Sequence, residues 1–283
     1  MSTPATSTLW SRLDGIAVVN LDDRPDRWET VRAAAESALP GAPPLTRISA
    51  VRGTSLPGFG VPPWFRGKKS DKRWGSKVGC TQSHRRVMEH AREHRWDLFL
   101  VLEDDADFSP LASVDLTALE AKLFDTHPDW DVCYLGFSKA TGTSLQLAKF
   151  GDHRLCAMSG CYTTHAYLVR ARARDWIYQQ LAPDAQAWTW HAEHRIIDRW
   201  YTRHLSFHVN VFAVSPSPIS QAPGFSDIVQ RQVDYTDEFS GNLADVTTDP
   251  AVFRRTQTLR RLRLLWLGGW DKIRALGKRC RGF

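Results

Sequence analysis

The stretch LFLVLEDDADF, residues 98–108, constrains this chain more than any other. Leu98 to Leu102 is a continuous apolar run with no polar alternation, the pattern of a strand covered on both faces. It breaks off into Glu103, Asp104, Asp105 and Asp107. Four carboxylates in five residues repel one another and are costly to bury unpaired. One reading is an acidic turn after a core strand. The other is a cation site, in which oxygen-only ligands favour Mg²⁺ or Mn²⁺ over zinc. Ligands of open α/β sheets bind beyond the carboxyl ends of the strands, which is where this cluster falls.

The surrounding pattern supports an α/β fold. Residues 16–21 (IAVVNL) read as a first buried strand, and Pro25 suits the first turn of a following helix. Trp28, Val31 and Ala35 recur there at helical spacing, Pro40-Gly41 stops the helix, and residues 45–51 form a second strand. Strand, helix, strand opens a parallel sheet. Residues 53–79 hold six Gly, three Pro and six basic side chains, and read as a long basic loop that could close over a diphosphate. Thr81 or Ser83 would cap a helix running to Arg95, with His84 on its apolar face near the start. Further on, the spacing predicts a helix around Leu116–Leu123, strands at 131–136 and 161–170, and helices at 171–181 and 192–203. An alternating strand is expected at 205–214. Trp188 and Trp190 fall in a polar loop suited to stacking on a sugar. Nothing repeats at a fixed period, which excludes solenoids.

The five cysteines are scattered and form no C-x-x-C pair, which argues against a disulfide framework and a zinc site and suits a reducing compartment. No secretory signal and no spanning apolar run are visible, so a cytoplasmic location is expected. The net charge of +6 is concentrated at one end: residues 253–283 carry ten Arg or Lys against one acid, leaving the rest of the chain mildly acidic. In that tail Leu259, Leu262, Trp266, Trp270 and Ile273 recur at three- and four-residue steps. Arg255, Arg260, Arg261, Arg263, Arg274 and Lys278 lie mostly off the stripe. This is the pattern of a basic amphipathic helix that lies on an anionic membrane surface, here the inner face. The competing expectation is that the stripe packs on the body of the protein.

Five segments in order resemble glycosyltransferase family 25, which includes lipooligosaccharide and procollagen galactosyltransferases. They are VVNLDDRPDRW (18–28), SAVRG (49–53), VGCTQSH (78–84), LVLEDDADF (100–108) and THAYLVRARA (164–173). The second departs from the family's "AVDG" turn, with Arg52 where Asp is usual. The resemblance implies a GT-A-type, Rossmann-like nucleotide-sugar-binding domain over residues 14–240, followed by the tail. It implies a Mn²⁺ or Mg²⁺ ion held by Glu103 and Asp105, with Asp105/Asp107 as the alternative register. Asn20, Arg27, Ser83, His84 and Asp104 would lie around a nucleotide-diphosphate sugar, UDP-galactose being the family's commonest donor. The acceptor would be a saccharide or glycolipid of a surface glycan such as lipooligosaccharide. In an inverting reaction a carboxylate must take the acceptor's proton. Asp198 is the candidate, with Asp131, Glu193 and Asp227 as alternatives.

Other functions fit less of the sequence. A metal-dependent nucleotidyl or phosphoryl enzyme would use the same carboxylates, but no G-x-x-x-x-G-K-[ST] loop is present. His191/His194 and His204/His208 have ligand-like spacing without an H-E-x-x-H motif. An inactive sugar- or partner-binding member of the fold would not need the acidic cluster. Nucleic acid is not an expected partner, since only the basic tail suggests it.

Overall fold

A computed structural model describes residues 8–67, 71–226, 231–234, 243 and 245–283. In chain order the elements are β1 (Gly15–Asn20), α1 (Pro25–Ala38), β2 (Leu45–Ser49), α2 (Asp71–Glu93), β3 (Leu98–Glu103) and β4 (Ala106–Asp107). Then come α3 (Leu116–Ala121), β5 (Val132–Gly136), β6 (Ser144–Phe150), β7 (His153–Ala157), β8 (Ala166–Arg170) and α4 (Ala171–Gln180). The chain continues through α5 (Ala187–His194), α6 (Ile197–His204), β9 (Val211–Ser215), β10 (Ser220–Gln221) and β11 (Gly224–Ser226). It ends with β12 (Arg231–Val233), β13 (Val246–Thr247) and α7 (Pro250–Arg281).

Nine strands form one mixed sheet in the order β13-β6-β7-β9-β5-β8-β3-β1-β2. β1 pairs in parallel with β2 and β3, and β8 runs antiparallel between β3 and β5. The apolar runs explain the layering. On β3, Leu100 and Leu102 face one side with Ile16 and Val18 of β1, against Val31 and Ala35 of α1. Phe99 and Val101 face the other side with Ala17, against Val87, Met88 and Ala91 of α2 and Ile177 of α4. Both faces are covered, so the strands are apolar throughout. The α/β expectation therefore holds, as a Rossmann-like sheet with helices on both faces.

Several local expectations are corrected. The basic stretch is not loop to Gly79: α2 begins at Asp71, so Thr81 and Ser83 are interior helix residues and not caps. A glycine tolerated in a helix at a cost usually has a packing reason. Here a Cβ on Gly79 would sit 2.2 Å from the Val51 carbonyl oxygen, and one on Gly53 would sit 1.9 Å from that of Gly75. The glycines that read as loop are what allow the turn after β2 to lie directly on α2. Trp188 and Trp190 are not in a loop. They are buried in α5, and their indole N–H groups donate to the carbonyls of Pro57 and Gln180. The helix expected at 192–203 is two helices broken at Arg195. Residues 205–207 form a 3-10 turn before β9.

The tail forms α7, and its orientation bears on the expectation that the apolar stripe packs on the body. Arg260 donates to the Thr202 carbonyl, Asp271 pairs with Arg203 and Arg274, and Phe283 stacks on Trp64 and Trp74. Leu259, Leu262, Leu265, Trp266, Trp270 and Ile273 are each 56–69 % exposed. The helix thus packs through a mixed face that includes Arg260, Leu264, Asp271, Arg274 and the buried Ala275, and the exposed apolar stripe does not pack on the body. Among the described residues no helix is long and apolar enough to cross a membrane.

Candidate active site

β1, β2 and β3 all run toward one edge of the sheet, and β8 starts from it, so Asn20, Ser49, Glu103 and Thr164 converge there. The two-residue pairing of β4 with β10 closes this edge. It brings Gln221 over Asp105, whose backbone carbonyl accepts from Ala222 N at 2.7 Å.

The adjacent carboxylates are held differently. Asp104 is neutralised: its Oδ2 accepts from Asn20 Nδ2 at 2.7 Å and its Oδ1 from Arg27 Nη1 at 3.1 Å. Burial nonetheless raises its pKa, against those bonds. Glu103 Oε1 accepts from Thr164 Oγ1 at 2.8 Å and lies 3.4 Å from His84 Nε2. Burial would raise Glu103, but the hydrogen bonds from His84 and Thr164 outweigh it and keep the carboxyl below its usual range. Asp105 is the unbalanced one. Its Oδ2 accepts from Gln221 Nε2 at 2.8 Å, while among the described residues its buried Oδ1 has no partner. Burial first, and then the charge of Glu103, push its pKa up to about 7. Asp107 points elsewhere: Ser109 and Ser220 occupy its oxygens and, against partial burial, hold it below the usual range.

The "GC-x-x-SH" segment acts through this framework. Gly79 allows the close approach of Val51, and Ser83 Oγ accepts from Val51 N while donating to the Gly79 carbonyl, both at 2.8 Å. His84 is fully enclosed, with Nδ1 2.8 Å from the Tyr167 hydroxyl and Nε2 3.1 Å from Thr164 Oγ1. His84 is therefore a positioning group for Glu103, and Ser83 a latch between α2 and the turn after β2. Asn20 likewise holds both Asp104 and Arg47.

Two cavities flank the cluster. One, of about 520 Å³, is lined by Arg27, Arg52, Lys72, Ser83, His84 and all three carboxylates from Glu103 to Asp105. The other, of about 530 Å³, is lined by Asp198, Lys77, Thr163, Arg195, Arg274 and Lys278. Cys80, Glu103, Gln221 and Ser226 belong to both walls. Asp198 Oδ1 accepts from Arg199 N at 2.6 Å, and burial raises its pKa above the usual range. Thr163 (φ 64) and Arg195 (φ 71, ψ −141) hold left-handed backbone that non-glycine residues rarely adopt. Strain of this kind collects at functional sites, and no motif in the sequence marked either residue.

Of the alternative bases, Asp131 is remote from both cavities, paired with Arg172 at the opposite end of β5. Glu193 lies in α5 beside His194, off both cavity walls, and Asp227 is outside the described residues. His191 is buried, and burial with neighbouring cations lowers its pKa to about 3. Among the described residues it and His194 meet no third ligand.

Among the described residues, no three His, Cys, Asp or Glu side chains converge as a protein cage for a metal. The donor set fits a different arrangement. Mg²⁺-type ions commonly take one or two carboxylates and complete their shell with substrate phosphates and water. Glu103 and Asp105 line one cavity, and among the described residues Asp105 Oδ1 has no hydrogen-bond partner, whereas the oxygens of Asp107 are taken by Ser109 and Ser220.

No family model and no curated protein matches the chain. Among solved structures it is similar to A197 from STIV, at 9 % identity and a TM-score of 0.36, over 79 % of this chain and 94 % of that one. It is also similar to a CMP:2-keto-3-deoxy-manno-octonic acid synthetase complexed with CTP, at 11 % identity and a TM-score of 0.25, over 88 % and 98 %.

Proposed function

We propose that this chain is a metal-dependent glycosyltransferase that moves a hexose from a nucleotide-diphosphate sugar to a saccharide acceptor. The observation that carries the reading is the two-cavity site with Glu103 on the shared wall: a cation-lined chamber beside Asp105, and a second chamber holding Asp198. Transfer between two bound sugars needs both chambers and a common boundary between them.

In this reading the fold is of the GT-A type and the donor occupies the chamber of Arg27, Arg52 and Lys72, whose charges suit a diphosphate. Glu103 and Asp105 would hold Mn²⁺ or Mg²⁺. A cation there supplies Lewis-acid neutralisation of the charge that grows on the leaving diphosphate. Asn20, Arg27 and Asp104 form one interlocked unit that fixes the donor-side wall, and His84 and Thr164 keep Glu103 ionised and oriented. Asp198 takes the proton of the attacking acceptor hydroxyl if the configuration inverts. Its raised pKa makes it a better base than an ordinary surface carboxylate, at the cost of losing activity as pH falls through that pKa. The family resemblance makes UDP-galactose the first donor to try.

The outward face of α7 fits a lipid-linked acceptor. Its exposed Leu and Trp residues are flanked by Arg254, Arg255, Arg261 and Arg263, and the helix's one acid, Asp271, is turned inward to Arg203 and Arg274. Apolar side chains inside an uncompensated basic rim complement an anionic bilayer, whereas two copies face to face would oppose arginine to arginine. The same helix places Arg274 and Lys278 in the second cavity, so docking would bring that opening to the membrane surface.

The test is a titration of UDP into the full-length protein with and without Mg²⁺, followed by turnover of Asp198→Asn. The reading expects cation-dependent UDP binding, retained by Asp198→Asn while transfer is lost. Cation-independent binding, or unchanged transfer in Asp198→Asn, argues against it.

A further inference from the structure

Among the described residues the second cavity gathers five basic side chains, Lys77, Arg195, Arg199, Arg274 and Lys278, against two acids. Lys77 comes from α2, Arg195 from the break between α5 and α6, and Lys278 from α7; all three are half-buried and line one chamber. Among the described residues none of the three is in a salt bridge. Lys77 Nζ and Lys278 Nζ each lie 4.5 Å from the centre of the Trp74 ring, so one indole contacts both ammonium groups. Arg274 and Arg199 also line the chamber. Arg274 is bound to Asp271 and the Glu193 carbonyl, and among the described residues Asp198 and Glu103 are the chamber's acids. Glu103 is engaged by His84 and Thr164.

Gathering like charges in a half-buried chamber opposes folding unless something relieves the repulsion. The lysines feel it: burial and then the surrounding cations lower the pKa of Lys77, and lower that of Lys278 to about 8. Cation–π contact with Trp74 compensates only in part. What completes such a chamber is a compact anion with several acceptor oxygens. On the other side of Glu103 the first chamber has basic residues of its own, Lys72 together with Arg27 and Arg52, the latter two paired to Asp104 and Asp23.

We infer that the chamber between Lys77, Arg195 and Lys278 binds a phosphate group carried by the acceptor. Its assignment to the acceptor rests on the glycosyltransferase reading; the anion site does not. A phosphate there would draw hydrogen bonds from two ammonium groups and a guanidinium, with Trp74 as the apolar floor. The acceptor hydroxyl would then be presented toward Asp198 on the same wall. Specificity follows: a neutral acceptor would leave three cations unrelieved, and a phosphorylated one would satisfy them.

The experiment is calorimetric titration of inorganic phosphate into full-length protein, in chloride buffer of matched ionic strength, alone and with saturating UDP and Mg²⁺. Saturable binding near one site per chain is expected, and it should persist with UDP present. Lys77→Gln/Lys278→Gln, which keeps the stems against Trp74, should weaken phosphate binding at least about tenfold and leave UDP affinity unchanged. Lys77→Gln alone, which leaves Lys278 of α7 on Trp74, should show a partial loss if the double variant melts early. Phosphate affinity unchanged in these variants overturns the site. Phosphate displaced by UDP, with UDP weakened by the same substitutions, means the cations serve the donor and overturns the acceptor assignment. If UDP never binds but phosphate does, and the substitutions abolish it, the anion site stands and the glycosyltransferase reading falls.

Discussion

Asp105→Asn should make the metal-free protein more stable at pH 8 and no more stable at pH 4. Asp105 has a buried oxygen without a partner and stands beside ionised Glu103, and its pKa rises from 3.8 to about 7. A carboxyl with a raised folded-state pKa binds its proton more tightly when folded. The penalty for ionising it is therefore absent below about pH 4, appears as pH rises, and is complete once pH passes about 7. Moved in full, a pKa displaced this far corresponds to ~4 kcal/mol. Because Asp105 also faces an open chamber and shares its titration with Glu103, ~1–2 kcal/mol is the expected gain. Asn keeps the shape and the acceptor for Gln221. Urea unfolding with a chelator present, at pH 8 and pH 4, measures the difference. Adding Mg²⁺ and UDP at pH 8 should reverse the order, stabilising the wild type and not the variant. Equal stability at pH 8, or the same gain at both pH values, would refute the view that Asp105 is held in readiness for a cation.

Three further outcomes follow from the geometry. His84→Ala removes the partners of Tyr167, Thr164 and Glu103 at once, and should cost ~2–4 kcal/mol in urea unfolding and weaken Mg²⁺-dependent UDP binding; a stability loss with unchanged UDP affinity would make His84 purely structural. Gly79→Ala forces a Cβ against Val51 and Gly53 and should cost about 3 kcal/mol, read by thermal melting; a wild-type melt would mean that the turn after β2 does not pack as described. Leu262→Glu/Trp266→Glu should leave the melt unchanged and abolish co-sedimentation with anionic vesicles at low salt; unchanged sedimentation would remove α7 as the docking element.

How much of this was legible in the sequence depended on whether the signal was local. The apolar runs of β1 and β3 and the helix at Pro25 were readable because strand burial and helix spacing leave direct periodic traces. The acidic end of β3 was readable because four carboxylates within five residues have few explanations. α2 was misread where Gly75 and Gly79 lower helix propensity, since the compensating contact comes from Val51 and Gly53, far away in the chain. Trp188 and Trp190 were placed in a loop by their polar neighbours, yet each finds a backbone carbonyl in the interior. The different states of Glu103, Asp104 and Asp105 had no sequence signal. They depend on His84, Asn20, Arg27 and Gln221, which only the folded edge assembles. The cation chamber was likewise invisible, because its members come from α2, the break between α5 and α6, and α7, which are distant in sequence.

The central claim, metal-dependent glycosyl transfer at Glu103 and Asp105, is tested most directly by product release. Wild type, Asp105→Ala and Asp107→Ala would be incubated with a panel of nucleotide sugars, UDP-galactose first, with Mn²⁺, with Mg²⁺ and with chelator, alone and with phosphorylated and neutral saccharide acceptors. The account predicts cation-dependent release of the nucleoside diphosphate by wild type and Asp107→Ala. It predicts none from Asp105→Ala, whose circular dichroism matches wild type. No release from any donor, release of pyrophosphate or a nucleoside monophosphate in its place, or full activity in Asp105→Ala would contradict it.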